Sequence, residues 1–269
     1  NGKSWSDANL ILRRTKSHSS IGEDEIVYVN PDFIELADGR IMLACQWRYK
    51  NGYNDLSNTN NNCGIVIMFS HDFGASFSEP VEIYRGRCWE PSMIQLPTGE
   101  IQMFFTSSQE LIDNMSAPQT VIIRSFDGGN TWQGKKKCGI FDNEVISRTI
   151  DGRSSYDGMP TGVLLNNNGG IAVAVEVWHG KWVTDQTPVV VKTDNVTNWH
   201  REVDSIRLKG GPAWPNKKQV NKDFYGYGPY CTKLPTGEMI ILSNGTYKGN
   251  EGVWTFIGDE KADNFSNAS

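Results

Sequence analysis

Four stretches of this chain are written to one plan: "NPDFIELADGRIMLACQW" from Asn30, "EPSMIQLPTGEIQMFFT" from Glu90, "MPTGVLLNNNGGIAVAVE" from Met159 and "GPYCTKLPTGEMIILSNG" from Gly228. In each, a proline follows the first residue, and a turn residue stands nine positions after it: Gly39, Gly99, Asn168 and Gly237. The prolines, Pro31, Pro91, Pro160 and Pro229, are 60, 69 and 69 residues apart. Self-similarity at such a period means one supersecondary unit repeated, and that constrains the fold more than any single motif. Within each unit, a short Asp, Gly, Thr or Asn turn joins two β-branched and aromatic runs, which is hairpin chemistry.

A second series is interleaved with the first. "SHDFGASF" (70–77) and "SFDGGNTW" (125–132) share Ser-x-Asp-x-Gly-x, "KTDNVTNW" (192–199) is a worn copy, and "GKSW" (2–5) reads as the last half of another. Asp and Gly suit a turn in which the carboxylate accepts backbone N–H groups, while Trp132 or Phe77 is expected to insert between sheets. A hairpin followed by a second hairpin closed by this box is a four-stranded blade. Blades set radially make a β-propeller, so the expected fold is all-β, one domain over 1–269 built of about four antiparallel blades. The partial box at the start and the ending "DNFSNAS", in which no closing strand is expected, suggest truncation at both ends of a larger propeller.

Composition removes other classes. With 269 residues, 38% of them hydrophobic, the chain can bury a large core. Its net charge of -5 argues against affinity built on phosphate neutralisation, so no nucleic-acid partner is expected. The run Lys135, Lys136, Lys137 reads as a solvated turn. Five cysteines (Cys45, Cys63, Cys88, Cys138, Cys231) without C-x-x-C spacing and four scattered histidines (His18, His71, His179, His200) suggest no metal or cofactor. "GNTWQGKK" (129–136) imitates a phosphate loop, but Lys136 stands where Ser or Thr should bind magnesium. No stretch has the length of an apolar membrane span, and a secreted or periplasmic location is expected with its signal outside this chain. Sequons at Asn114, Asn195, Asn244, Asn264 and Asn267 add little in so Asn-rich a sequence.

If the first strand of each blade runs from top to bottom, the Gly turns and the Asp boxes lie at the bottom. The top then gathers the residues before each first strand and after each second strand. These are Asn30, Trp47 and Arg48; Trp89 and Glu90 with Thr106; Asp157, Glu176 and Trp178; and Tyr225, Tyr227 and Tyr230 with Asn244. Aromatic faces with fixed polar groups suit a sugar. Asn30, Trp47, Arg48, Trp89, Trp178, Tyr227 and Tyr230 are therefore the expected substrate-binding set. Glycoside hydrolysis needs two carboxyls facing across the anomeric carbon, and Glu90 with Glu176 is the expected pair. Asp157 is a third carboxylate on the same rim, able to hold hydroxyls or to replace Glu176 as acid. His179, in "EVWHG", reads as a loop histidine.

The boxes at 70 and 125 resemble the Asp-box, or bacterial neuraminidase repeat, of six-bladed propeller sialidases and related glycoside hydrolases. Against sialidases, Glu90 occupies the slot of the Glu that assists a tyrosine nucleophile. No Arg stands near Ser107 or Ser108, no Arg-Ile-Pro stretch is present, and Gly228 replaces the nucleophilic tyrosine, with Tyr227 one residue away. The four hairpins more closely resemble family 93 exo-arabinanases in order and phase over about 30 to 245. That resemblance implies a retaining exo-hydrolase acting on a carbohydrate, with Glu90 as nucleophile and Glu176 as acid/base, or the reverse. A sialidase and a non-catalytic carbohydrate-binding propeller remain the alternatives, since fold alone does not give function. Oligomeric state is not legible.

Overall fold

The computed structural model of the chain describes residues 3–58, 61–108, 111–112, 115–116, 118–133, 144–148, 155–165, 170–179, 183–194, 196, 199, 217–266 and 269. Asn168, the lysine run, Cys138, His200, Asn114, Asn195, Asn267 and the side chain of His179 lie outside the described residues.

Among the described residues the strands form four larger antiparallel sheets in chain order and one two-stranded hairpin. The first holds β1 (Thr15–Ser19), β2 (Gly22–Glu35), β3 (Ile41–Tyr49), β4 (Cys63–Ser70) and β5 (Val81–Arg85), in spatial order β1-β2-β3-β4-β5. The second holds β6 (Cys88–Gln95) and β7 (Ile101–Ser107), a small separate hairpin β8 (Leu111–Ile112) and β9 (Met115–Ser116) that interrupts the sequence, then β10 (Gln119–Ser125) and β11 (Glu144–Ser147). The third holds β12 (Ser155–Leu164), β13 (Ile171–His179), β14 (Val183–Thr193) and β15 (Lys217–Gln219); the fourth holds β16 (Phe224–Lys233), β17 (Met239–Tyr247) and β18 (Asn250–Gly258). The innermost strands β2, β6, β12 and β16 neighbour one another in turn, so the sheets are the blades of a β-propeller.

The repeated turns are one object. Leu36 and Leu96 donate their N–H to Arg40 and Glu100 O at 2.8 Å, Leu234 does the same to Glu238, and Gly39, Gly99 and Gly237 each close the turn at 2.9 Å. Those glycines have φ of 83, 90 and 108°, a region where a Cβ is costly, which explains the glycine at this slot. The boxes are equally uniform. Ser70 and Ser125 accept from Gly74 and Gly129 N–H at 2.8 Å, and Asp72 and Asp127 accept from the N–H of Ser76 and Thr131 at 2.8 Å and from their hydroxyls at 2.6 Å.

The second and third boxes also grip the blade before them. Arg40 donates to Gly128 O, and Gly129 lies against Met42 and Phe69 of the first blade. Arg124, ion-paired to Glu100 at 2.5 Å with both side chains buried, donates to Val196 O in the third box. Trp132 and Trp199 are buried as expected for an inserted box aromatic, whereas Phe77 is only half-buried. The middle strands β7, β10 and β13 are buried on both faces between neighbouring blades, so they read as continuous apolar runs without alternation.

The end of the chain carries a turn that the sequence pattern does not mark. After β18, Asp259 to Asp263 make a turn of the Gly39 type, with Ala262 in the left-handed position at φ 55° and the Asp259 carboxylate accepting the N–H of Lys261 and Asp263. Ser266 N–H then donates to Ile257 O, and Ser269 exchanges both backbone bonds with Thr255. These bonds lie alongside β18 without a further strand among the described residues, and the turn lacks the Ser-x-Asp-x-Gly letters that mark the others.

Candidate active site

Each innermost strand carries the same irregularity. Pairing skips from Val29 to Asp32, Trp89 to Ser92, Gly158 to Thr161 and Tyr227 to Tyr230, while the partner strand advances two residues each time. The cause is the proline, which has no N–H for the ladder and leaves one extra residue as a bulge. The residue before it, Asn30, Glu90, Met159 or Gly228, is turned to φ of 52, 59, 49 or 62°. Such values are uncommon for residues other than glycine and concentrate at functional sites.

The bulge has a chemical consequence, because it withdraws an N–H from the ladder and aims it elsewhere. Met159 N–H donates to Glu90 Oε2 at 3.0 Å, and Gly228 N–H donates to Glu176 Oε2 at 2.6 Å. In both cases the bulge of one blade holds a carboxylate of the blade before it.

Glu90 Oε2 also accepts from Thr106 Oγ1 at 3.0 Å and from the Tyr156 hydroxyl at 3.3 Å; among the described residues no donor is bonded to Oε1. Burial pushes this carboxyl above its usual range, against the three donors. Glu176 is 4% exposed and is pushed up to about 7. Burial is the main cause and the charge of Glu90 adds to it, with Gly228 N–H and the Tyr156 hydroxyl opposing. Tyr156 is driven up in turn by burial and then by the charges of Glu90 and Glu176. Both carboxylates therefore act on one tyrosine.

Tyr156 has a dedicated seat. A Cβ at Gly158 would stand 2.4 to 2.7 Å from its ring and hydroxyl, so only glycine there lets the ring lie across the strand toward Glu90. Gly158 is also the cross-strand partner of Glu176.

A cavity of about 140 Å³ opens beside this group, lined by the four bulge prolines with Asn30, Glu90, Met159 and Tyr230 among others. The structure thus brings together Glu90, Glu176, Asn30 and Tyr230 of the expected residues. Trp89 and Arg48 do not line this cavity: Trp89 lies edge-on to Tyr53 with ring centroids 6.3 Å apart, and Arg48 stacks on the same Tyr53 ring at 4.6 Å. Trp178 is half-buried opposite Tyr156, and Tyr227 is exposed; neither lines the cavity.

Two expected residues lie elsewhere. Trp47 is buried in a separate cluster with Cys45 and Val66, under the Arg85 guanidinium. Asp157 is fully buried and accepts from Ser147 Oγ at 2.5 Å. It pairs with Val177, one step out of phase with the Tyr156–Trp178 and Gly158–Glu176 pairs, so its side chain leaves the other face of the hairpin. A one-residue phase is enough to exchange faces. Sequence reasoning missed Tyr156, although "SYDGMP" combines a tyrosine with a glycine two residues on. It also missed Asp32, which is pushed up to about 6 by burial and accepts from Met93 N–H of the next blade at 2.8 Å.

No protein-family model matches the chain, and no curated protein matches its sequence. Solved structures do share its fold. The alpha-L-arabinanase of Penicillium chrysogenum, complexed with arabinobiose, is 17% identical over 90% of this chain and 65% of its own, with a TM-score of 0.59. The GH93 alpha-L-arabinofuranosidase of Fusarium graminearum is 16% identical over 89% of this chain and 65% of its own, at 0.57. The NanB sialidase of Streptococcus pneumoniae is 10% identical over 97% of this chain and 53% of its own, at 0.58. This chain thus spans between about half and two thirds of the length of these proteins, and the likeness shows the fold: an all-β propeller of the kind sialidases and arabinanases share.

Proposed function

We propose that this chain carries the catalytic carboxylates of a retaining exo-glycosidase, arabinanase-like in plan, and that Glu90 and Glu176 are its two working groups. The observation that carries the reading is that two buried carboxyls act on one tyrosine, Tyr156, and are held differently, with Glu90 lining the cavity. Glu176, raised to about 7, keeps its proton near neutrality and is suited to protonate a leaving oxygen. Glu90 has three donors on Oε2 that favour its ionised form and an unengaged Oε1, which suits attack on an anomeric carbon.

In this reading Glu90 Oε1 forms the bond to the anomeric carbon while Glu176 gives its proton to the departing oxygen. Glu176, now ionised, then takes a proton from water, whose oxygen displaces Glu90 and frees the sugar. Tyr156 and the Met159 N–H hold Glu90 in place through both steps. The fold likeness to an arabinanase and an arabinofuranosidase supports an arabinose-type sugar as the first substrate class to try. A sialidase reading has one observation in its favour, the Tyr156 hydroxyl on Glu90. Against it, burial raises the Tyr156 hydroxyl and so opposes a phenolate nucleophile, and no arginine is among the described residues lining the cavity.

The test is a panel of aryl arabinofuranosides, sialosides and other aryl glycosides with good and poor leaving groups. Glu176→Gln should keep the first step, read as a burst of released aglycone, on leaving groups that need no proton and lose it on those that do, with steady turnover slowed on both because the second step lacks its base; Glu90→Gln should lose both steps. Equal turnover of native and variant proteins on every substrate cleaved would remove both residues from the chemistry.

A further inference from the structure

Among the described residues, Arg40, Arg85 and Arg124 each hold a carboxylate: Asp38, Glu82 and Glu100. Arg48 and Arg87 do not. Among the described residues the Arg48 side chain makes no hydrogen bond, and its guanidinium carbon lies 4.6 Å from the centre of the Tyr53 ring. Arg87 lies 4.5 Å from the same ring and 5.2 Å from that of Trp89, and it uses one donor, on Tyr53 O at 3.2 Å.

Stacking uses the faces of the two guanidiniums and leaves their donor edges open. Two cations on one ring with no anion between them repel, and an oxyanion bound at their edges would relieve that repulsion. The Tyr53 hydroxyl is buried, and among the described residues the Trp89 side chain is the polar neighbour set against it.

The position is informative. Trp89 is the cross-strand partner of Thr106, whose hydroxyl donates to Glu90, so this cluster neighbours Glu90. On its other side Arg48 opens into a groove of about 640 Å³ that includes Arg13, Arg14 and Lys50. These cations gather on one face of a chain whose net charge is -5.

We propose that the rim built by Arg48, Tyr53, Arg87 and Trp89 binds a sugar bearing an oxyanion, a carboxylate or a sulfate, beside the sugar that Glu90 and Glu176 act on. The inference rests on the glycosidase reading for the word substrate, and on the arginine pair alone for the charge. Guanidinium edges bind either oxyanion in bidentate fashion, and Trp89 offers a face for the ring. The expected substrate is an acidic glycan, with the charged unit outside the central cavity.

The experiment is calorimetric titration with trigalacturonate, its methyl ester as uncharged counterpart, and a sulfated neutral trisaccharide. At least one acid should bind tenfold or more tightly than the ester, with affinity falling as salt is raised, and the better of the two names the oxyanion. Arg48→Gln and Arg87→Gln should each weaken it tenfold or more. Arg48→Lys and Arg87→Lys, which keep the charge and the fold, should recover only part of the loss. Equal binding of acid and ester, no binding of either acid, or acid binding indifferent to both arginines would overturn the inference. An acid preference that persists in Glu90→Gln, with no hydrolysis by the native chain, would fail the hydrolase reading alone. Hydrolysis abolished by Glu90→Gln, with no acid preference, would fail this inference alone.

Discussion

Replacing Glu176 by Gln separates the cost of this carboxyl from its use. Its folded-state value of about 7 lies above the ordinary 4.5, so the folded protein binds a proton more tightly than the unfolded chain does. The stabilisation this brings is complete below about pH 4.5 and is lost as pH rises through about 7. The gap, at about 1.4 kcal/mol for each tenfold change in proton affinity, amounts to about 3 kcal/mol. Glutamine imitates the protonated acid, keeps an oxygen for the Gly228 N–H, and has no charge to bury.

Urea unfolding of native and Glu176→Gln proteins from pH 4 to 8.5 should therefore show near-equal stability at the acid end. The variant should then gain steadily to about 3 kcal/mol above pH 7. Because the charge of Glu90 contributes to the shift, the same comparison in a Glu90→Gln background should place the transition at lower pH. A difference that stays flat with pH, or a variant less stable than native at pH 8, would refute the claim that burial and Glu90 hold this carboxyl neutral.

Three further outcomes follow from the geometry. Gly158→Ala should drive the Tyr156 ring from its seat at a cost of about 1 to 3 kcal/mol in thermal or urea unfolding, with a larger loss of any turnover than of stability. Arg124→Leu should destabilise by about 3 to 5 kcal/mol, since it leaves Glu100 buried without its cation, and Arg124→Leu with Glu100→Leu should recover much of that in the same unfolding assay. The Asp127 carboxyl is held down to about 2, first by Thr131, so its turn is stable above the usual carboxylate range and loosens as pH falls through about 2. Asp127→Asn should speed hydrogen exchange at the Thr131 amide at neutral pH without altering exchange in β13.

The propeller was legible because its signals are local and repeated. A proline that cannot enter the ladder, a glycine at φ near 90° and an aspartate that binds its own turn are each fixed by covalent structure within a few residues. The last turn escaped notice for the same reason. Ala262 takes the left-handed position there without glycine, so the letters fail although the backbone agrees. Glu90 was singled out by its place before the bulge proline, and Glu176 by its place after the apolar run "IAVAV".

What sequence does not carry is phase and reach. Trp47, Asp157 and Glu176 all stand near strand ends that point to the top, and only pairing decides which face each side chain leaves from. Gly158 opposite Glu176 fixes that phase, and in doing so sends Asp157 to Ser147. Reach is a property of neighbouring blades. Tyr156 meets Glu90 across 66 residues, and Gly228 meets Glu176 across 52. The bulges connect these facts, because the irregularity that proline imposes on one blade supplies the N–H that holds a carboxylate on the blade before. The irregularity that interrupts the ladder thereby becomes the device that positions the Glu90 and Glu176 carboxylates. The cavity accordingly forms at the prolines, while the strand ends above them contribute only the rim.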